Sequence, residues 1–168
     1  ALRERVILGL GVSNYDTVDL RQAGFKNVGV LPLVLDESKY DFESNSELVE
    51  RFSDPGPNML FVGRLVPNKC QDDLTARLLL VGSRWLPAYA DWLEELADEL
   101  GVLDSLEISG HVSQRDLVTY YRVADFYISM SEHEGFGKPF IESMYFGVPI
   151  LAYAAAAISG ADPIRTGI

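Results

Sequence analysis

The chain has 168 residues, and 48% of them are hydrophobic, which is enough for one folded core and excludes a disordered tail. Its formal net charge is -11 at pH 7, so any anionic ligand must be met by local cations. We therefore expect no nucleic acid partner, because binding a phosphate backbone requires a clustered basic face.

The sequence also argues against disulfide bonds, a structural zinc site and a transmembrane helix. Cys70 is the single cysteine, so no intrachain disulfide can form, and His111 and His133 are too few beside it for a structural zinc site. No run approaches the roughly 20 apolar residues that cross a bilayer, and the start of the chain lacks a signal-peptide pattern. We expect a cytoplasmic protein without a transmembrane segment, able to associate peripherally with the inner membrane face.

Residues 1–35 have the pattern of a small β-α-β unit. Apolar runs at 6–12 and 28–34 predict two strands, and residues 15–23 between them predict a helix. Residues 36–57 then change to acids, serines, asparagines and proline–glycine pairs, which is typical of an interdomain linker. The sequence therefore predicts a domain boundary in this segment.

Residues 58–168 alternate between strand and helix patterns. This alternation predicts an α/β fold, a Rossmann-like parallel sheet with flanking helices. Trp85, Tyr89 and Trp92 are spaced as on one helix face and are expected to pack. The predicted strands are 59–62, 77–81, 106–109, 126–130 and 149–153, and the predicted helices are 87–100, 114–124 and one that starts at Pro139 and ends at Gly147.

Residues 131–144, with the sequence S-E-H-E-G-F-G-K-P-F-I-E-S-M, join the strand at 126–130 to the helix that starts at Pro139. Such a junction, at the carboxyl end of a strand in an open α/β sheet, is where ligands usually bind. Gly135 and Gly137 let the backbone approach a ligand closely, and the unpaired amides at the helix start attract an anion. The junction therefore favours a phosphate group as ligand.

Two acidic and two basic residues are candidates for contacts with that ligand. Glu134 and Glu142 are eight positions apart, at most about 12 Å along a helix, which is too far to share a proton but suits a ligand with hydroxyls at both ends. Arg64 and Lys69 follow the strand at 59–62 on a turn broken by proline, and a guanidinium with an ammonium suits a diphosphate. A nucleotide-sugar combines these features.

The pattern E-G-F-G-x-P-x-x-E at 134–142 resembles the E-x7-E motif of retaining, two-domain (GT-B) glycosyltransferases of the group 1 or GT4-like family. The resemblance implies that Glu134 faces the donor sugar and that Glu142 holds the ribose hydroxyls. It also implies that backbone amides between the two glutamates approach the sugar and the phosphate, at Gly135, Phe136 and Gly137. On this basis the chain corresponds mostly to the C-terminal half of a GT-B fold.

The pattern G-R-x4-K, made by Gly63, Arg64 and Lys69, is similar to a second motif of that family. The resemblance implies that its two cations hold the donor diphosphate, and that the backbone near Val112 meets the nucleotide base. Arg64, Lys69 and Glu134 are then the expected catalytic residues, with no metal ion and no cofactor besides the donor substrate.

The implied activity is a retaining glycosyltransferase of the hexosyltransferase type, which moves a sugar from a nucleotide-diphosphate-sugar to an acceptor hydroxyl. A glycan, a lipid-linked compound or a small molecule would be the acceptor, as in polysaccharide or glycoconjugate biosynthesis. One alternative is a nucleotide-sugar-binding module without catalysis. Another is a glycoside hydrolase, whose Glu134 and Glu142 carboxylates would lie roughly 5–9.5 Å apart and which leaves Arg64 and Lys69 unexplained.

The family resemblance also indicates that the fold is incomplete. A parallel crossover normally includes a helix, but residues 63–69 form the arginine–lysine turn and only a short helix opening, 71–74, precedes the strand at 77–81. We predict a missing segment between Leu74 and Thr75, which a Cα separation well above about 3.8 Å would reveal. Residues 154–168 are likewise too few to complete the domain, and residues 1–35 are a remnant of an N-terminal acceptor domain.

Overall fold

In the computed structural model of the protein, the chain divides into two compact units, and the described residues are 7–11, 14–31, 34–66, 77–131 and 137–153. The smaller unit contains the first two strands, and the larger unit contains a five-stranded sheet. The predicted gap between Leu74 and Thr75 and the predicted incomplete end at 154–168 lie outside the described residues.

The smaller unit is the predicted β-α-β unit. Strand β1 (Gly9–Gly11) and strand β2 (Val28–Val30) pair in parallel, with Gly9 opposite Val28, and helix α1 (Asn14–Gln22) connects them. Each strand pairs over three described residues, and residues 6, 12, 32 and 33 of the predicted runs lie outside the described residues.

The larger unit confirms the predicted α/β class, with a parallel sheet flanked by helices. All of its strand pairs are parallel, in the order β5-β4-β3-β6-β7. Its strands are β3 (Met59–Val62), β4 (Leu78–Val81), β5 (Leu106–Gly110), β6 (Phe126–Ser129) and β7 (Ile150–Ala152). Its helices are α2 (Ser46–Arg51), α3 (Pro87–Glu99), α4 (Gln114–Val123) and α5 (Lys138–Tyr145).

The core explains why the middle strands read as uninterrupted apolar runs. All four residues of β4 are buried, as expected for a parallel strand covered on both faces. Helix α3 places its buried residues one turn apart, with Tyr89, Ala90 and Leu93 packed in the cluster that contains Phe61 and Leu80. Burying a large apolar side chain contributes about 1.5–3 kcal/mol, so this cluster holds the sheet in place.

The segment predicted as an interdomain linker, 36–57, contains structure that sequence reasoning missed. A 3₁₀ turn spans Glu37–Tyr40, and helix α2 follows with Asn45 as its N-cap, whose side chain accepts a hydrogen bond from the backbone N–H of Glu47. Asn45 also binds α4, donating from its backbone N–H to Thr119 Oγ1 at 2.8 Å and from Nδ2 to Asp116 Oδ1 at 2.8 Å. The described part of this segment therefore belongs with the sheet unit, while the domain boundaries themselves stay a prediction.

The strand order creates a switch point at the centre of the sheet. From β3 the chain moves to one side through β4 and β5, and then returns to place β6 and β7 on the other side. In open α/β sheets, ligands bind beyond the carboxyl ends of the strands at such a point. Here the switch point lies between the adjacent strands β3 and β6.

Candidate functional site

The described residues include five of the nine predicted site residues. Gly63, Arg64, Val112, Gly137 and Glu142 are described, whereas Lys69, Glu134, Gly135 and Phe136 lie outside the described residues. Of the two acids and two cations, the structure describes Arg64 and Glu142, and the convergence of all four on one ligand stays a prediction.

The loops that leave β3 and β6 start side by side. Strands β3 and β6 pair with Met59 opposite Phe126 and Leu60 opposite Tyr127, a register that sets the last residue of β3, Val62, level with Ser129. Paired strands lie about 4.8 Å apart, so Gly63 and the residues after β6 begin at the same edge of the sheet. The loop carrying Arg64 and residues 130–131, which lead toward the glutamate motif, thus leave from neighbouring strands. Val112, which follows the outer strand β5, lies two strands away from β3.

Gly63 is held in place by a very close approach of the neighbouring loop. Its backbone N–H donates to Val81 O at 2.9 Å, and Leu65 N–H donates to Ser83 O at 3.1 Å. A Cβ atom added at Gly82 would lie 1.8 Å from Gly63 O, and Gly82 has a φ of +150°, which side chains rarely allow. Glycine at position 82 therefore permits the contact that fixes the loop carrying Arg64.

Arg64 is oriented by an aromatic ring. Its guanidinium carbon lies 5.5 Å from the centroid of the Trp85 ring, within cation–π range, while Leu65 beside it is fully buried. Trp85 is 64% exposed and precedes helix α3, so the expectation that it packs on one helix face with Tyr89 and Trp92 is wrong. Among the other two aromatic residues of that pattern, Tyr89 is buried and stacks on Trp92 with ring centroids 5.6 Å apart.

Glu142 is the most deeply buried acidic side chain of the described region, with 1% exposure. Its Oε1 accepts hydrogen bonds from Tyr40 Oη at 2.7 Å and from Lys138 Nζ at 2.6 Å, and its Oε2 accepts one from Tyr121 Oη at 2.9 Å. A buried carboxylate is costly unless it is paired and hydrogen-bonded, and these three donors meet that requirement. None of the three is among the predicted site residues.

The charge of Glu142 changes the acidity of its donors. Burial, followed by the charge and hydrogen bond of Glu142, raises the pKa of Tyr121 well above its ordinary value. Burial and the Glu142 hydrogen bond likewise raise the pKa of Tyr40. Partial burial opposes the effect at Lys138, but the hydrogen bond and charge of Glu142 prevail and raise its pKa. All three donors therefore keep their protons at neutral pH, and Lys138 is charged.

Of the three donors to Glu142, one could have been found from the sequence and two could not. Lys138 stands four residues before Glu142, the spacing of a helical ion pair, so its contact was readable from the sequence. Tyr121 lies on the buried face of α4, but nothing in the sequence directs its hydroxyl toward α5. Tyr40 is 102 residues from Glu142, in a segment that reads as linker, and no sequence signal points to it.

An open groove of about 590 Å³ lies next to Tyr40 and contains none of the predicted donor-binding residues. It is lined by Glu37, Ser38, Tyr40, Asp41, Arg122, Tyr145 and Phe146. The predicted site therefore does not coincide with this groove, although Tyr40, which lines the groove, donates a hydrogen bond to the predicted site residue Glu142.

The described residues contain neither a candidate metal cluster nor a membrane-spanning helix. No group of three or more His, Cys, Asp or Glu residues in the described ranges is arranged to hold a metal ion. In the same part of the chain, no helix combines the length and apolar character needed to cross a bilayer.

A protein-family model and several characterised proteins are similar to this chain. Residues 47–160 match the family model described as glycosyl transferases group 1. The chain is 31% identical over 144 residues to the mannosylfructose-phosphate synthase of Agrobacterium fabrum, covering 74% of this chain and 32% of that protein. It is 29% identical over 167 residues to the D-inositol 3-phosphate glycosyltransferase of Mycolicibacterium smegmatis, covering 92% of this chain and 38% of that protein. The chain thus spans about a third of the length of the curated relatives it matches.

A solved structure shows the same fold. The crystal structure of Anabaena Alr3699/HepE in complex with UDP and glucose matches with a TM-score of 0.77 and 21% sequence identity, covering 90% of this chain and 45% of that chain. At this level of identity the likeness concerns the fold alone.

Proposed function

The chain belongs to the group 1 glycosyl transferases, and we propose that the protein of which it forms part transfers a sugar from a nucleotide-diphosphate-sugar to an acceptor hydroxyl with retained anomeric configuration. The register between β3 and β6 carries this proposal, because it starts the arginine loop and the glutamate motif from neighbouring strands at the switch point. The Anabaena structure, solved with UDP and glucose, supports a donor of this type.

Arg64 holds the donor diphosphate in this proposal. Stacking on Trp85 limits the orientations of its guanidinium, so less side-chain freedom is lost when phosphate binds. A charge-assisted hydrogen bond contributes about 1.5–3 kcal/mol net, which lets one arginine offset the acidic balance of the chain. In the transition state negative charge grows on the departing phosphate oxygen, and the guanidinium stabilises it there.

Glu142 holds the ribose in this proposal. A carboxylate offers about four acceptor positions, of which Tyr40, Tyr121 and Lys138 occupy three. A ribose diol donates to the fourth acceptor position and to the position that Lys138 occupies in the unbound protein. Lys138 can leave that position for solvent, because its side chain is 52% exposed. The two buried tyrosines stay in place and keep the carboxylate hydrogen-bonded during the exchange.

The remaining steps use residues assigned by family resemblance. Lys69 joins Arg64 on the diphosphate, and the amides of Gly135, Phe136 and Gly137 approach the sugar and phosphate. Glu134 orients the donor sugar, and the departing phosphate takes the proton of the acceptor hydroxyl, so no further base is needed. The backbone near Val112 meets the base. Positive charge from the two cations and the helix start serves in place of a metal ion.

The proposal is tested by donor binding and by transfer. We expect one of UDP-, GDP- or ADP-sugars to raise the melting temperature, since a ligand that binds only the folded state stabilises it. Arg64→Ala should weaken nucleoside diphosphate binding by about tenfold to a hundredfold in calorimetry. Arg84→Ala is the matched control, because Arg84 is a partly exposed arginine of the neighbouring loop that pairs with Glu94 at 2.6 Å.

Three results decide between this proposal and its alternatives. Equal nucleotide affinity in the Arg64 and Arg84 variants would remove Arg64 from the site. Binding of the donor by the full-length protein without any transfer to an acceptor hydroxyl would favour a binding module. Hydrolysis of a glycoside without a nucleotide requirement would favour the hydrolase reading.

A further inference from the structure

We infer that Tyr40 is a positioning residue for nucleotide recognition, which fixes the carboxylate of Glu142 in the orientation that a ribose diol requires. The inference rests on the proposed function, because it takes Glu142 as the ribose ligand. It assigns a role to a side chain from the segment 36–57, which the sequence indicates to be a linker.

The Tyr40 hydroxyl has a fixed location. Its side chain is 3% exposed, and its ring packs against Tyr145 with centroids 5.4 Å apart and edge-on against Phe146 at 5.8 Å. Lys138 Nζ lies 5.9 Å from the centroid of the Tyr40 ring. With the ring held on these sides, the hydroxyl is directed at Glu142 Oε1, 2.7 Å away.

Glu142 needs such a partner. The terminal torsion of a glutamate side chain is broad, so a carboxylate with a single partner rotates freely. Tyr40 binds Oε1 and Tyr121 binds Oε2, so each oxygen is held separately and the carboxylate plane is set. Tyr121 is itself held rigid, since it is fully buried and stacks on Phe146 with centroids 5.3 Å apart and an 11° angle between the rings. Pre-organisation of this kind lowers the entropy lost on binding.

The exchangeable partner is Lys138, and the fixed partners are the tyrosines. Lys138 reaches Oε1 from the first turn of α5 with a half-exposed side chain, while both tyrosine side chains are buried. Lys138 can return to solvent at little cost, because its side chain is half exposed. Loss of the Tyr121 hydroxyl would leave the buried Oε2 without a described donor, and loss of the Tyr40 hydroxyl would leave Oε1 with Lys138 alone. The two tyrosines therefore hold the carboxylate plane whether or not nucleotide is bound.

The test measures recognition of the ribose hydroxyls separately from overall binding. Calorimetry with the full-length protein compares UDP, GDP and ADP, each beside its 2′,3′-dideoxy analogue, for the wild type and for Tyr40→Phe. We expect the wild type to prefer the ribonucleotide and Tyr40→Phe to reduce this preference by about tenfold. A purely structural role would weaken both analogues equally and leave the ratio unchanged.

Two further variants complete the experiment. Tyr121→Phe removes the donor to the other oxygen and should reduce the same ratio, which keeps the test decisive if Tyr40→Phe does not fold. Tyr120→Phe is the matched control, because Tyr120 is an adjacent buried tyrosine whose hydroxyl bonds Ser109 at 2.6 Å and not Glu142. Its ratio should equal that of the wild type.

The outcomes separate the inference from the function beneath it. An unchanged ribose preference in Tyr40→Phe, with the preference present in the wild type, overturns the role of Tyr40 and leaves the proposed function standing. A wild type that binds both analogues equally overturns the ribose role of Glu142 and the inference with it, but not donor binding. A wild type that binds none of the three diphosphates overturns the proposed function as well.

Discussion

Replacing Gly82 by alanine tests the contact that positions the arginine loop. The new Cβ would lie 1.8 Å from Gly63 O, whereas ordinary contact begins at about 3.4 Å, so one backbone must move by about 1.5 Å. Such a shift breaks the hydrogen bonds from Gly63 N–H to Val81 O and from Leu65 N–H to Ser83 O. At about 0.5–1.5 kcal/mol each, their loss lowers the free energy of unfolding by about 1–3 kcal/mol.

A second glycine supplies the control for backbone strain. Gly56 has a φ of +154°, close to the +150° of Gly82, but a Cβ added there meets nothing within 4 Å. Both alanine variants therefore carry the same kind of strain, about 1–3 kcal/mol, and only Gly82→Ala carries the collision. The difference between their unfolding free energies isolates the loop contact.

The assay is urea unfolding of both variants, with the midpoint compared at constant m-value. Gly82→Ala should unfold at a lower urea concentration than Gly56→Ala, and it should also bind nucleoside diphosphate more weakly because Arg64 is displaced with its loop. Equal midpoints and equal affinities would refute the close approach of the two loops.

Two further predictions concern side chains of the site. Trp85→Ala should weaken diphosphate binding by about twofold to fivefold, the equivalent of an exposed cation–π contact with Arg64, whereas Trp92→Ala should leave it unchanged. Isothermal titration calorimetry measures both affinities, and equal effects of the two variants would count against the role of Trp85. Burial, with the nearby Glu142 charge, raises the pKa of Tyr121 above its ordinary value, so the unfolded chain loses this proton first. The contribution of this protonated hydroxyl to the free energy of unfolding is complete below about pH 10 and declines as the pH rises further. The melting temperature of Tyr121→Phe should therefore fall less steeply with pH above about 10 than that of the wild type. An equal slope in both proteins would contradict the burial of the hydroxyl.

Local signals predicted most elements of the sheet unit. The apolar run at 59–62 is strand β3 as predicted, and Pro87 begins helix α3 as its position at a helix start indicates. Gly147 adopts a φ of +71° just after helix α5, and its N–H bonds Met144 O, as a helix-ending glycine should. A buried strand, a helix start and a helix end each depend on residues that are close along the chain, so the sequence pattern was enough to predict them.

The segment 36–57 shows where local signals fall short. Helix α2 is only six residues long, too short for a hydrophobic period to stand out among acids and serines. Its stability comes from tertiary bonds, such as those from Asn45 to Asp116 and Thr119 on helix α4. Sequence reasoning could not supply partners more than seventy residues away.

The family, the α/β class and the candidate charged residues can be identified from the amino-acid sequence, because motifs and hydrophobic periods involve residues that are close along the chain. The contact of Arg64 with Trp85 and the hydrogen bonds of Glu142 to Tyr40, Tyr121 and Lys138 are seen in the folded chain. The physical reason is that a hydrogen bond across 102 residues depends on which segments the strand order brings together, and no local preference of either residue encodes that meeting.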